Sequence, residues 1–296
     1  MPKRKPEPVS RATHGRGVLI VIGGHEDKEG DRVILKEVAR RVGRGRLVIA
    51  TVGSHDPEGY FDTYREAFKE LGLEKTVELY LGDREQAHDP KKLELLEGAK
   101  GVFFTGGDQL RITSQLGDTP LFERVLEVYK RGGVICGTSA GASALCTTML
   151  VRGNGEESHR LGTLRMAPGL GLVKHMVIDQ HFAERGRMGR LLGAVALNPV
   201  ELGVGIDEDT AIVLNNSSFS VLGSGAVYVV DGSSVSYSNI AEGEDERTLS
   251  IFDVRLHLLA QGDVFDLAER RPRKVTPRER KHLEELAGGE GEGDAA

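Results

Sequence analysis

The chain has 296 residues and carries 45 acidic against 39 basic side chains, which gives a formal net charge of −6. This balance argues against a general nucleic-acid-binding protein, which would show a basic face. Apolar stretches such as 18–23 have the length of a strand and fall far short of the roughly 20 residues that a membrane span requires. The basic N-terminus leads into no apolar segment of the kind found in secretory signals, so we expect a cytoplasmic protein.

Short apolar runs alternate with helical patterns through the first half of the chain. The run 17–24 ends in glycines and reads as a buried strand, whereas 32–42 repeats its apolar residues at helical spacing. In chain order we predict strand 17–24, helix 32–42, strand 47–52, helix 61–71, strand 77–81, helix 91–98, strand 101–107, helix 121–131 and strand 134–137. This alternation is typical of an α/β fold with a largely parallel sheet that helices cover on both faces.

The second half and the two ends have a different character. Residues 215–254 are richer in Ser and Val with short alternating runs, which predicts β-hairpins or edge strands of the same domain. Residues 1–16 and 271–296 are charged and rich in Pro or in Gly and Glu, so we predict two tails around a single domain, 17–270. The two cysteines, Cys136 and Cys146, are too few for a disulfide framework and are interpreted as core thiols.

Three glycine-containing segments fall at predicted strand ends, at 23–24, 106–107 and 137. Open parallel sheets bind their ligands beyond the carboxyl ends of the strands. The sequence therefore predicts a functional site at this edge of the sheet.

Residues 137–141 read Gly-Thr-Ser-Ala-Gly, between a predicted strand and a run compatible with a helix. Small residues on both sides of Ser139 allow a sharp strand-to-helix turn that exposes its hydroxyl at the helix N-terminus. Free amides and the helix dipole at that point favour the oxyanion that develops in acyl transfer. This pattern predicts a nucleophilic serine, with simple helix capping by Ser139 as the alternative.

A serine nucleophile needs a base, and His181 is the best placed of the nine histidines. It closes the apolar segment 176–182 at a predicted strand end, whereas the others, His25 among them, fall in tails, polar loops or exposed positions. A carboxylate must orient the imidazole ring. Segment 205–213 offers Asp207, Glu208 and Asp209 between two apolar runs, and the spacing alone does not choose among them or exclude a solvated turn.

Three arginines, Arg185, Arg187 and Arg190, follow His181 within about two helical turns. On a solvated helix they would form an ordinary basic face. Beside a catalytic histidine, a guanidinium fork is well suited to carboxylates. In that case the substrate carries carboxylates.

The order of these motifs resembles the cyanophycinases. The segments that carry the resemblance are 21–24, 104–109 (Phe-Thr-Gly-Gly-Asp-Gln), 137–141, 169–172 (Gly-Leu-Gly-Leu), 179–182 (Asp-Gln-His-Phe) with its three arginines, and 205–211 (Gly-Ile-Asp-Glu-Asp-Thr-Ala). Together they cover about 17–266. The serine turn is shared with the related isoaspartyl dipeptidases, whereas segments 179–190 and 205–211 are more specific.

The resemblance implies an αβα sandwich like that of the class I glutamine amidotransferases, a homodimer and a serine-type exopeptidase. It implies a triad of Ser139 as nucleophile, His181 as base and Glu208 as orienting acid, with oxyanion donation by the backbone amides of Gly107 and Ala140. The substrate-binding residues that it implies are Asp108, Gln109, Asp179, Gln180, Arg185, Arg187 and Arg190. The implied substrate is cyanophycin, a poly-aspartate with arginine joined to each β-carboxyl, and the product is the β-Asp-Arg dipeptide.

Two other functions remain open on the sequence. An isoaspartyl dipeptidase on the same fold would act on β-aspartyl peptides and would need fewer carboxylate-binding arginines. A non-catalytic polymer-binding relative would not need an intact Ser139, His181 and Glu208. No cofactor or metal is expected, because a triad supplies its own nucleophile and no cluster has metal-ligand spacing.

Overall fold

The structure is a computed structural model that describes residues 17–153, 160, 162–215, 217–242, 247–277, 279 and 281. Its strands are β1 (Val18–Ile22), β2 (Arg46–Ala50), β3 (Thr76–Leu79), β4 (Ala99–Phe104), β5 (Val134–Thr138), β6 (Thr148–Arg152), β7 (Arg165–Pro168), β8 (Met176–Gln180), β9 (Leu202–Ile206), β10 (Thr210–Asn215), β11 (Ser218–Gly223), β12 (Val227–Asp231), β13 (Tyr237–Ser238), β14 (Ile251–Phe252), β15 (Arg255–Leu259), β16 (Val264–Asp266) and β17 (Arg271–Arg273). Its helices are α1 (Val33–Val42), α2 (Pro57–Glu70), α3 (Pro90–Glu94), α4 (Gln109–Leu116), α5 (Pro120–Lys130), α6 (Ala140–Ala144) and α7 (Met188–Leu197), with a short 3-10 helix at Glu85–His88.

The central sheet has nine strands in the order β17-β16-β11-β10-β1-β5-β4-β2-β3. Strands β1, β5, β4, β2 and β3 pair in parallel, as the alternation of strands and helices predicts. Strands β10, β11, β16 and β17 extend the sheet with antiparallel pairs, starting at β1. The predicted α/β class is confirmed.

A second sheet of four strands, in the order β15-β12-β9-β8, lies beside the first. Strands β8 and β9 are parallel, and β12 and β15 add to them in antiparallel fashion. The sequence predicts hairpins or edge strands in 215–254. Of the strands there, β11 pairs with β10 and β16 in the nine-stranded sheet, whereas β12 belongs to this separate sheet. The two-stranded pairs β6–β7 and β13–β14 complete the β structure of the described residues.

Side chains on the two faces of β1 show how the layers pack. Ile20 and Ile22 point into a cluster with apolar residues of α1 and α2. Leu19 and Val21 point into the largest cluster, with residues of α4, α5 and the four-stranded sheet. A third cluster packs α7 against the outer face of the four-stranded sheet. Helices therefore cover both faces of the nine-stranded sheet, and the four-stranded sheet shares one of those faces with them.

Some boundaries differ from the predictions for local reasons. Helix α2 begins at Pro57 instead of 61, because Asp56 accepts a hydrogen bond from Gly59 N and proline suits the first helical turn. Helix α4 was not predicted, since polar residues dilute its apolar spacing, and Asp108 caps it. Strand β17 extends the sheet into the predicted C-terminal tail, while the predicted tail 1–16 lies outside the described residues. Within the described part of the chain, every helix is too short or too polar to cross a membrane.

Candidate active site

The carboxyl ends of strands from both sheets meet at one place. Strand β5 of the nine-stranded sheet leads into Ser139, and β8 of the four-stranded sheet leads into His181. Glu208 lies in the three-residue turn between β9 and β10, which belong to different sheets. The junction of the two sheets therefore brings together three residues that are far apart in the sequence.

The turn at Ser139 is sharp and has no room for larger neighbours. Ser139 has φ 52 and ψ −116, a conformation that costs free energy for a residue with a side chain. A side-chain carbon on Gly141 would lie 2.5 Å from the Phe104 carbonyl oxygen, so only glycine fits there. The predicted strand-to-helix turn is thus present, and it exposes the hydroxyl at the start of α6.

The buried carboxylate of Glu26 supports this turn. Glu26 is 2% exposed, and it accepts hydrogen bonds from the Thr138 hydroxyl at 2.7 Å and from the Tyr64 hydroxyl. Thr138 directly precedes the nucleophile candidate, so Glu26 fixes the end of β5. Sequence patterns do not single out Glu26, because its partners are distant in the chain.

Ser139, His181 and Glu208 form a continuous chain of hydrogen bonds. Ser139 Oγ lies 2.8 Å from His181 Nε2, and His181 Nδ1 lies 2.6 Å from Glu208 Oε1. The His181 ring is held against Gly24, where a side-chain carbon would lie 2.3 Å from the imidazole Cε1. With Nδ1 donating to Glu208, Nε2 is free to accept the serine proton, which is the arrangement that general-base activation requires.

The charges at the site fit this arrangement. Burial lowers the pKa of His181 below its ordinary value, the hydrogen bond with Glu208 acts to raise it, and the positive charge of Arg185 adds to the lowering. Burial acts to raise the pKa of Glu208, but hydrogen bonds from His181 and His25 outweigh it and lower that pKa. At neutral pH the base is therefore neutral and its partner ionised.

The other two acids of the 207–209 turn accept hydrogen bonds from backbone amides and, in the case of Asp209, also from a hydroxyl. Asp207 accepts hydrogen bonds from Ala183 N at 2.9 Å and Ala226 N at 3.1 Å. Asp209 accepts from Asp27 N and from the Ser224 hydroxyl, each at 2.8 Å. The structure thus brings only Glu208 of the three to the histidine, a choice that spacing alone did not make.

His25 is a site residue that the sequence analysis placed among the polar-loop histidines. Its Nδ1 lies 2.8 Å from Glu208 Oε2, and its ring packs edge-on against His181 with centroids 5.0 Å apart. The side chain is 72% exposed. The one sequence signal that points to His25 is its position directly after glycines 23–24, at the end of a predicted strand.

Two of the three predicted carboxylate-binding arginines are buried in an ion-pair cluster. Arg190 binds both carboxylate oxygens of Asp179, with Nε 2.6 Å from Oδ2, and Arg187 Nη1 lies 3.2 Å from Asp179 Oδ1. Arg187 also donates to the Gln180 backbone oxygen and, at 2.7 Å, to its side-chain oxygen. Burial lowers the pKa of Arg187 to about 10, so the guanidinium remains protonated at neutral pH. We call Asp179, Arg187 and Arg190 the Asp179 cluster.

Four of the predicted substrate-binding residues are buried in the Asp179 cluster or beside it. Asp179 has no exposed surface, and Arg187, Arg190 and Gln180 are each less than 10% exposed. Their polar groups bind one another and hold the segment after β8. In contrast, Arg185 is exposed, and its guanidinium has no ion-pair or hydrogen-bond partner within the part of the chain that the structure describes.

The remaining predicted residues lie after β4 and at the start of α6. Asp108 is exposed and caps α4 by accepting from Leu110 N at 2.8 Å, and Gln109 donates to the Leu150 carbonyl at 3.1 Å. A side-chain carbon on Gly106 would lie 3.8 Å from Ser139 Oγ, so the 106–107 turn lies against the nucleophile candidate. Ala140 opens α6, where backbone amides lack intrahelical acceptors. The amides predicted to bind an oxyanion are thus close to Ser139.

A groove of about 740 Å³ begins beside Asp108. Two exposed carboxylates, Asp108 and Asp118, line it together with His55 and residues 167–169. The one guanidinium in its lining, Arg111, already donates to the carbonyl oxygens of Val52 and Leu81. The groove therefore presents net negative charge, and Asp108 in its lining directly follows the 106–107 turn that lies against Ser139.

The chain is similar to known peptidases over most of its length. Residues 19–222 match peptidase family S51. The chain is 36% identical over 274 residues to a cyanophycinase from Synechococcus elongatus, which covers 90% of this chain and 85% of that protein. It is 38% identical over 261 residues to a cyanophycinase from Geminocystis herdmanii (strain PCC 6308), which covers 87% of this chain and 96% of that protein. The crystal structure of a peptidase from an acI-B1 Actinobacterium has a similar fold, with a TM-score of 0.64 at 22% identity over 86% of this chain and 99% of that one.

Proposed function

Because the chain belongs to peptidase family S51, we propose that it is a serine peptidase that hydrolyses cyanophycin to β-Asp-Arg dipeptides. The whole-length similarity to cyanophycinases confirms the resemblance seen in the motifs. The observation that carries the proposal is the hydrogen-bonded chain from Ser139 Oγ through His181 to Glu208, with distances of 2.8 and 2.6 Å.

The proposed reaction is acyl transfer through Ser139. Its Oγ attacks the carbonyl that joins two backbone aspartates, while His181 Nε2 takes the hydroxyl proton. Glu208 stabilises the imidazolium that results, and the amides of Gly107 and Ala140 bind the oxyanion. His181 then gives its proton to the leaving amine, and water releases the acyl group by the same steps in reverse. The triad supplies all the groups that this reaction needs, so it requires no cofactor.

The exposed charges around Ser139 suit a substrate with both signs of charge. Each unit of the polymer presents a guanidinium and a free carboxylate. The groove carboxylates Asp108 and Asp118 are placed for guanidinium groups, and Arg185, on the His181 side, is placed for a carboxylate. We assign Gln109 to the same surface, since it is partly exposed next to Asp108.

The Asp179 cluster and Gln180 act indirectly in this proposal. His181 follows Gln180 directly, and Arg187 binds the Gln180 backbone oxygen. The cluster therefore sets the position of the base and of the turn that carries Arg185. We propose a positioning role for Asp179, Gln180, Arg187 and Arg190 in place of the direct substrate contact that the resemblance implied.

Incubation of the purified protein with cyanophycin, with soluble β-Asp-Arg measured, tests the proposal. We expect dipeptide release by the wild type and none by Ser139→Ala. Hydrolysis of a short isoaspartyl dipeptide with the polymer untouched would make the protein a dipeptidase instead. Polymer binding without release of any product would make it a non-catalytic relative.

We further propose a cytoplasmic homodimer. Cys136 and Cys146 are buried free thiols, as expected of a protein from a reducing compartment. Strand β15 is an edge strand that exposes Leu256 and Leu258, an apolar surface that a second copy of the chain would cover. Sedimentation velocity measures this directly, and a monomer at micromolar concentration would contradict it.

A further inference from the structure

His25 adds a third metal-binding side chain to two members of the proposed triad. One potential ligand atom from each of His25, His181 and Glu208 lies within 4.8 Å of the others. The three residues come from the loop after β1, the end of β8 and the turn between β9 and β10, so they show no metal-ligand spacing along the chain. Two imidazoles and one carboxylate form a ligand set typical of zinc sites that keep an open coordination position.

We propose that Zn²⁺ binds His25, Glu208 and His181 and reversibly inhibits the enzyme. The inhibitory part of this inference rests on the proposed function, whereas the binding part does not. Both Nδ1 atoms contact the carboxylate, His25 Nδ1 at 2.8 Å from Oε2 and His181 Nδ1 at 2.6 Å from Oε1. The two imidazoles therefore already share one carboxylate through the nitrogens that would bind the ion.

The distances require the side chains to adjust. Ligand atoms of a tetrahedral zinc ion lie about 3.3 Å apart, so each hydrogen-bonded pair must open by roughly half an ångström, and ligand atoms as far as 4.8 Å apart must close by about 1.5 Å. His25 can move because its side chain is 72% exposed, and the same exposure gives an ion access from solvent. Glu184 adds a carboxylate next to the site by accepting from Glu208 N, while the positive charge of Arg185 opposes a cation. Because three protein ligands bind more weakly than four, we expect an apparent Kd of about 1–10 μM.

The choice of ring nitrogen explains why zinc would inhibit. A neutral imidazole carries one proton, and a ligand nitrogen must be free of it. Coordination through Nδ1 therefore moves the His181 proton to Nε2, by exchange with solvent. Nε2 then donates to Ser139 Oγ instead of accepting its proton, and Glu208 no longer orients the ring. The same tautomer change at His25 keeps the protons in balance.

Inhibition by zinc chloride tests the functional consequence. At about ten times the Kd, roughly nine tenths of the enzyme is occupied, so polymer hydrolysis should fall about tenfold and recover with EDTA. Magnesium and calcium chloride should have little effect, since these ions prefer oxygen ligands. For His25→Ala, whose affinity for zinc should be at least tenfold weaker, the ratio of rates with and without zinc should stay at one half or above at the same zinc concentration. This ratio is taken within one variant, so a lower basal rate does not affect it.

His175→Ala is the matched control, because His175 is also exposed and has positive φ but lies before β8, at the opposite end from His181. It should keep the zinc sensitivity of the wild type. Equal inhibition of His25→Ala and wild type would overturn the proposed site.

Calorimetric titration of Ser139→Ala with zinc chloride tests binding without any activity. One zinc per chain should bind, and His25→Ala in the same background should weaken binding at least tenfold. No detectable binding at about 100 μM zinc would overturn the inference while leaving the proposed peptidase intact. Zinc binding to a protein that does not cleave cyanophycin would instead refute the proposed function alone.

Discussion

The triad and the Asp179 cluster are both charged groups built around the end of β8, yet they differ in how their polar atoms are used. In the triad, Ser139 Oγ is bound by the base alone among the described residues, and Glu208 is 26% exposed on its side chain. In the Asp179 cluster, the carboxylate has no exposed surface and both of its oxygens accept from arginines. The polar atoms of the triad are therefore available to a substrate, whereas those of the Asp179 cluster are already paired with other protein groups.

This difference separates residues that contact a ligand from residues that hold them. The segment 179–190 contains both kinds, and by residue type they look alike. A buried ion pair binds little from outside, because releasing one partner would leave the other unpaired away from water. An exposed group such as Arg185 pays no such penalty when it binds a substrate. Substitution of an exposed residue that contacts the substrate should therefore mainly change the kinetic parameters. Substitution within the buried cluster should mainly change the free energy of unfolding.

The largest effect is expected at the nucleophile. Ser139→Ala should lower kcat for cyanophycin by about 10⁶, the loss seen when a triad nucleophile is removed from a serine protease. The hydroxyl is small, so the free energy of unfolding should change little. Dipeptide release and thermal unfolding measure the two quantities on the same sample. A variant that keeps a tenth of the wild-type rate would show that another group acts as nucleophile.

Glu208→Gln should lower kcat by about 10⁴, because an amide cannot stabilise the imidazolium and favours the wrong tautomer of His181. Asp209→Asn is the matched control, since Asp209 lies in the same turn but accepts from Asp27 N and Ser224. Its effect on kcat should be smaller by at least a hundredfold. Comparable losses at both positions would mean that the turn acts as a unit and that Glu208 has no separate role.

Much of the fold was predictable because buried parallel strands leave a strong local signal. Strands such as β1 and β5 are continuous apolar runs that end at glycines, and α1 and α5 have helical apolar spacing. The second sheet was not predictable. Strands β9 and β10 are separated by only three residues, yet they belong to different sheets. That choice depends on contacts with β12 and β1, which are far away in the chain.

The site was predictable to the extent that its chemistry depends on residue type and strand ends. Ser139 and His181 were found because each follows an apolar strand at a place where parallel sheets bind ligands. Glu26 and His25 were missed, since their partners lie across the sheet. The arginines were found but assigned one common role, because burial separates them and the sequence does not report it. Arg187 and Arg190 are less than 10% exposed, whereas Arg185 is exposed.

Breaking the Asp179 cluster should mainly reduce stability. Arg190→Ala leaves the Asp179 carboxylate buried with one partner fewer, and removal of one partner of a buried pair costs about 3–5 kcal/mol. We expect the free energy of unfolding in urea to fall by that amount. Activity should decrease through kcat, since the cluster holds the segment that carries His181. Unchanged stability would mean that the cluster is solvated in solution and free to bind substrate, as the motif originally suggested.

The smallest effect in this series, and the one that sharpens the comparison most, is expected at Arg185. Its guanidinium is exposed beside His181 and lacks a protein partner among the described residues, so Arg185→Ala should leave the free energy of unfolding within about 0.5 kcal/mol of wild type. If it binds a substrate carboxylate, the loss of that charge-assisted hydrogen bond, roughly 1.5–3 kcal/mol, should lower kcat/KM for the polymer about 10- to 100-fold, mainly through KM. Arg185→Lys should restore only part of this, because lysine keeps the charge but loses the planar fork. Arg190→Ala provides the opposite pattern, with lower stability and a smaller change in KM. If Arg185→Ala digests the polymer with an unchanged KM, the substrate carboxylate is bound elsewhere, and Arg185 acts only through its charge on His181.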